Sequence, residues 1–141
     1  MNNTIHSSDD FEGMRKAGNL AASTLDLLVE KVKPGVSTEE LDNIAFDYIV
    51  RHGGLIAPLF YKGYPKSVCT SINHVICHGI PSSRILENGD IVNIDVTVIV
   101  DGWHGDTSRM FPVGKINAKA QKLIDCTYHA MLEGINAAQP N

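Results

Sequence analysis

The stretch IVNIDVTVIVDGWHGDTSRMFPV, from Ile91 to Val113, constrains the fold more than any other. Two runs of alternating residues flank Asp101-Gly102, a dipeptide that favours a two-residue hairpin turn because both positions tolerate a positive φ. That turn pairs Val100 with Trp103, and therefore Thr97 with Asp106 and Asp95 with Ser108. Alternation then puts Val92, Ile94, Val96, Val98 and Val100 on one face, and Asn93, Asp95 and Thr97 on the other. Asp95 and Asp106 fall diagonally across this second face, with His104 and Ser108 beside them. Diagonal cross-strand neighbours lie about 7–8 Å apart, so both carboxylates can reach one small cation or a pair of them. Two ionised acids so placed call for relief: open water, a metal, a basic partner or a shared proton. Oxygen donors with at most a histidine nitrogen suit Mn, Fe, Co, Zn or Mg better than soft copper, and two acids alone leave a metal site unfinished.

The apolar face of the hairpin needs a cover, and the flanking sequence offers helices. From Asp9, the positions Leu20, Thr24, Leu25, Leu28 and Val32 follow near-helical spacing up to the stop at Lys33-Pro34-Gly35. Ser37 with Glu40 forms a capping-box pattern for a second helix, which carries Leu41, Ile44, Ala45, Tyr48 and Ile49 and ends at His52-Gly53-Gly54. Residues 57–66, rich in Pro, Gly and Tyr, read as a structured loop. Two short strands are expected at 67–72 and 75–78, joined at Asn73-His74. Asn117 is placed to cap a last helix running to about Ala137. The result is an α+β unit, and 141 residues at 43% hydrophobic suffice for one core.

A net charge of −4 with no basic block gives no footprint for nucleic acid or an anionic membrane. The N-terminal stretch lacks an apolar signal core and no run approaches a membrane span, so the cytoplasm is the expected location. Cys69, Cys77 and Cys126 show no C-x-x-C spacing, which disfavours a disulfide framework and a structural zinc site.

The segments YKGYPKSVCTSINHVICHGIP and NGDIVNIDVTVIVDGWHGDTSRMFPVG together resemble the type I methionine aminopeptidases, from about Asp9 to the end of the chain. The ordered set His78-Gly79-Ile80-Pro81, Asn93-x-Asp95 and His104-Gly105-Asp106-Thr107-x-Arg109-x-Phe111 carries the resemblance. It implies a pita-bread fold, in which helices cover the outer face of a curved antiparallel sheet and two divalent metals (Co, Mn, Fe, Zn or similar) lie on the inner face. It further implies removal of the initiator methionine from nascent chains whose second residue is small, with the ribosome as a further partner and a monomer when complete.

Position by position, the resemblance makes Asp95 and Asp106 metal ligands, Asp106 bridging both ions, with Thr97 supporting them. His78 becomes a substrate-contacting catalytic residue, and Tyr61, Tyr64 and Cys69 become the lining of a pocket for the methionine side chain. His104 is expected to support the site rather than ligate, and Lys62 stands where some relatives have histidine. The family completes its metal site with one His and two Glu from a second half, so residues 1–141 are expected to be the N-terminal half of a catalytic domain, inactive alone. A non-catalytic pita-bread adaptor binding a protein or RNA is the second reading. A proline-specific aminopeptidase is disfavoured by the tight loop motif.

Overall fold

The computed structural model describes residues 5–140; the ends of the expected 1–141 unit, residues 1–4 and Asn141, lie outside them. Helix α1 (Ser8–Leu28) and helix α2 (Thr38–Arg51) come first. Then follow strand β1 (Leu55–Ile56), a 3-10 turn at Tyr61–Gly63, and strand β2 (Cys69–Ile72). The long hairpin of β3 (Ile91–Val100) and β4 (Trp103–Pro112) leads to helix α3 (Ala118–Ala137).

β3 is the axis of the antiparallel sheet: β4 pairs along its whole length, while β1 and β2 pair with successive stretches of it. The hairpin register is the one its turn dictates, with Val100 opposite Trp103, Thr97 opposite Asp106 and Asp95 opposite Ser108. Asp101 and Gly102 both have positive φ, 50° and 85°, as a type I′ turn requires.

Val92, Ile94, Val96 and Val98 are wholly buried beneath α1, whose Ala17, Leu20, Ala21, Thr24, Leu25 and Leu28 recur every three or four residues and face the sheet. Gly105 sets how close α1 can come. A Cβ there would fall 2.2 Å from the Ala17 carbonyl oxygen, so only glycine admits this backbone-to-backbone contact. At Gly13 the space a Cβ would take is filled by the Trp103 indole. α2 packs on α1 and β1 and contributes Leu41, Ala45 and Ile49 to the same core.

Three local details differ from expectation. Helix α1 ends at Leu28 rather than near Pro34, because Lys31 and Val32 turn their N–H groups back to the Leu28 carbonyl and let Val32 and Val36 enter the core. The Ser37 cap is half of a box: its hydroxyl accepts the Glu40 N–H at 3.1 Å without the return bond. The complete box belongs to α1, where Ser7 and Asp10 cap each other.

Residues 75–78 form no strand. Asn73 and His78 take left-handed backbone (φ 52° and 55°), and the Gly79 N–H bonds the Ser71 hydroxyl instead of a carbonyl, so a ladder cannot continue. The Thr70 N–H to Gly79 carbonyl bond, at 2.8 Å, also ties this loop to β2.

Candidate metal centre and substrate cleft

The inner face of the hairpin opens into a cleft of about 800 Å³. Asp95, Thr97, His104 and Asp106 form its floor on β3 and β4, Cys69 enters from β2, and the loops supply Tyr61, Lys62, Tyr64 and His78. Every residue expected at the site therefore lines one cavity. The polar face of a strand pair made this possible, and the apolar face beneath α1 fixed which side it would be.

On the floor, the Thr97 hydroxyl donates to Asp106 Oδ1 at 3.2 Å. Burial is the main cause that pushes the Asp95 pKa up, the Asp106 charge adds to it, and His78 partly offsets both. An acid destabilised by burial and by a second acid is what a cation between them would relieve. Neither carboxylate has an ion pair among the described residues, and the one basic group that acts on Asp95, His78, offsets the other two effects only in part. Oxygen donors on a rigid hairpin fit a hard or borderline divalent ion. Yet the described residues contain no group of three or more His, Cys, Asp or Glu side chains arranged to hold one. The fit is that of part of a coordination shell.

The walls are held by hydrogen bonds to backbone. Tyr64 Oη donates to the carbonyls of Val68 and Gly79, at 3.0 and 3.1 Å, and so clamps the His78 loop against the segment leading into β2. Burial, then the Cys69 thiol and the Asp42 and Asp95 charges, raise the Tyr64 pKa far enough to keep the phenol protonated as this donor. Burial likewise raises the Cys69 pKa, leaving a neutral, soft thiol in the wall. Asp42, itself buried, accepts the N–H groups of Ser67 and Val68 and anchors the start of the same wall to α2. His78 projects from left-handed backbone that persists because Gly79 lies flat on β2, where a Cβ would meet the Thr70 oxygen at 2.2 Å.

His104, expected beside the acids in a supporting role, lines the cleft two positions before Asp106. Ala57 and Pro58, to which the sequence assigned no role, supply apolar wall, as does Ile80 from inside the His78 motif. The only signal for Ala57 and Pro58 was their place in the Pro, Gly and Tyr-rich loop. Gly79 and Gly105 lay inside the motifs, and a lone glycine in a strand or tight loop is a sign of close backbone approach. All three cysteines are free, Cys69 buried and the other two exposed. Among the described residues no helix is long and apolar enough to cross a membrane.

Residues 12–141, which carry this inward-facing acid pair on a helix-covered antiparallel hairpin, match the model of metallopeptidase family M24, to which the chain belongs. It is 57% identical over 136 residues to the methionine aminopeptidase of Rickettsia prowazekii, a match covering 96% of this chain and 52% of that protein. The methionine aminopeptidase of Escherichia coli is 52% identical over 139 residues, covering 97% of this chain and 53% of that protein. The crystal structure of the Rickettsia prowazekii enzyme superposes with a TM-score of 0.93, over 94% of this chain and 53% of that one. The pita-bread architecture expected from the motifs is thus the one found. The chain spans about half the length of the curated relatives it matches.

Proposed function

We propose that this chain contributes the Asp95–Asp106 half of a dinuclear metal site to a methionine aminopeptidase, acting on nascent polypeptides that begin with Met followed by a small residue. The observation that carries the reading is the convergence of Asp95, Asp106 and His78 with an aromatic and thiol wall in one cleft. Asp95 and Asp106 hold the ions, which are Co, Mn, Fe, Zn or similar, and Thr97 orients Asp106 through its hydroxyl. When bound, such ions supply a Lewis acid and lower the pKa of water toward neutrality.

The remaining work falls to the chain's own residues. His78 hydrogen-bonds the scissile carbonyl as charge develops on its oxygen. Tyr61, Tyr64 and Cys69 form a polarisable wall for the thioether, and Tyr64 keeps that wall and the His78 loop in register. Two carboxylates fall short of a full ligand set, so further donors come from outside these residues; the 141-residue segment by itself is expected to be inactive. The protein works in the cytoplasm as a monomer, near the ribosome where its substrates emerge. Retention of both acids favours this reading over a non-catalytic adaptor.

Titration calorimetry with Mn or Co against the protein as the cell makes it, alongside hydrolysis of Met-Ala peptides, tests the reading. Asp95→Asn and Asp106→Asn should each weaken metal binding at least tenfold, on the scale of losing a coordinating group, and abolish turnover. Unchanged binding and turnover in both variants would sink the assignment.

A further inference from the structure

The cleft carries a cation that the metal, the nucleophile and the methionine wall leave unused. Lys62 lines it from the 3-10 turn and is exposed. Its backbone is left-handed (φ 48°, ψ 31°), as are those of Phe60 (φ 67°) and Gly63 (φ 84°) around it. The two non-glycine residues among them, Phe60 and Lys62, are costly there unless other contacts over-determine them. Here four backbone hydrogen bonds do so: Phe60 N–H to Tyr64 at 2.7 Å, Tyr61 to Pro58 at 2.9 Å, Gly63 to Phe60 at 3.2 Å and Tyr64 to Tyr61 at 3.0 Å. The turn therefore fixes where the lysine stem starts.

Lys62 Nζ sits 5.4 Å from the Tyr61 ring centroid and makes no ion pair among the described residues. Its neighbour Lys66, by contrast, is tied to Glu39 at 2.7 Å. Lys62 is the lysine or arginine of the cleft lining, and like Asp106 it is exposed, whereas Asp95 is half-buried. A peptide whose N-terminus reaches the acids runs along a cleft that Lys62 also lines. Its first residue faces the aromatic wall and its second must be small, so the third is the first with a side chain long enough to meet the ammonium.

We infer that Lys62 is a specificity-determining residue that favours peptides with an acidic third residue. The inference rests on the peptidase reading above, and extends it from the terminus to the downstream sequence. An exposed pair of this kind contributes little and is screened by salt, so the preference is modest: about three- to fivefold in kcat/KM for Met-Ala-Glu over Met-Ala-Gln peptides. Met-Ala-Lys peptides should fall below both.

The test is a competition of these three peptides on the metal-loaded protein as the cell makes it, in low salt and again near 1 M, where the Debye length is about 3 Å. The Glu preference should shrink in high salt, vanish in Lys62→Asn, and persist in Lys62→Arg. Asn is chosen because it tolerates left-handed backbone without the charge. Ratios between peptides read specificity even if the variant turns over more slowly. Turnover of all three peptides at equal efficiency, or an equal Glu preference in Lys62→Asn, would overturn the role of Lys62 and leave the peptidase reading standing. Failure to cleave any Met peptide would overturn both.

Discussion

Helices α1 and α3 carry almost the same pattern and meet opposite fates. Ala17, Leu20, Ala21, Thr24, Leu25 and Leu28 in α1 recur, 103 positions on, as Ala120, Leu123, Ile124, Thr127, Tyr128 and Met131 in α3. Even the threonines agree: Thr24 Oγ1 donates to the Leu20 carbonyl at 2.8 Å and Thr127 Oγ1 to the Leu123 carbonyl at 2.9 Å. Both helices are capped at their N-termini by a polar side chain, Ser7 or Asn117. Yet all six residues of the α1 set are buried, whereas α3 buries none of its residues, with Leu123, Tyr128 and Met131 about half exposed. An apolar stripe specifies which face of a helix seeks cover; only a partner surface decides whether it finds any. α1 has the valine face of β3 and the notch at Gly105, and α3 has neither among the described residues.

Matched substitutions break or sharpen this contrast. The largest difference is expected at equivalent leucines. Leu25→Ala removes a wholly packed side chain and should cost about 2–5 kcal/mol in urea denaturation of the purified protein. Leu123→Ala, at a position 54% exposed, should cost less than about 0.5 kcal/mol. Equal losses would mean that α3 is covered in solution.

Glycines should give opposite signs. Gly105→Ala forces a Cβ onto the α1 backbone and should destabilise by about 1–3 kcal/mol. Gly134→Ala meets nothing within 4 Å and should stabilise α3 by up to about 1 kcal/mol, visible as helicity in far-UV circular dichroism.

The smallest effect is one of pH and belongs to the packed body alone. Burial by itself would raise the Asp90 pKa, but the Glu87 N–H, the Asn73 amide and Arg84 outweigh it and hold the carboxyl below its ordinary 3.8. A pKa lower in the folded than in the unfolded protein gives stability that is present above the unfolded value and lost as pH falls through the folded one. Acid titration of the unfolding free energy should show this loss at and below about pH 4, and Asp90→Asn should flatten it. A profile unchanged in Asp90→Asn would remove Asp90 from the account.

Much of the site was legible because a hairpin is local. Asp101-Gly102 fixes the register, the register fixes the faces, and the faces put Asp95, Thr97, His104 and Asp106 together from 12 consecutive residues. The cap at Asn117 and the end of α3 at Ala137 are equally local and fall where the sequence puts them. The loss of the expected strand at 75–78 has a different cause. Gly79, just past those residues, takes the edge of β2 instead, held by the Ser71 hydroxyl and the Tyr64 clamp, partners far along the chain that no periodicity reports.

The sequence by itself determined the α+β plan, the hairpin register, the buried valine face and the acid pair opposite it, because each follows from short-range turn chemistry and from alternation with a period of two. The tertiary structure alone decided that α1 and not α3 is covered among the described residues, that the loops carrying Tyr61, Lys62, Tyr64 and His78 join the acids in one cleft, and that Gly79 and Gly105 are where backbones touch. Those outcomes depend on contacts between segments far apart in the chain, and such contacts are settled by shape and by the pairing of every buried polar group rather than by pattern.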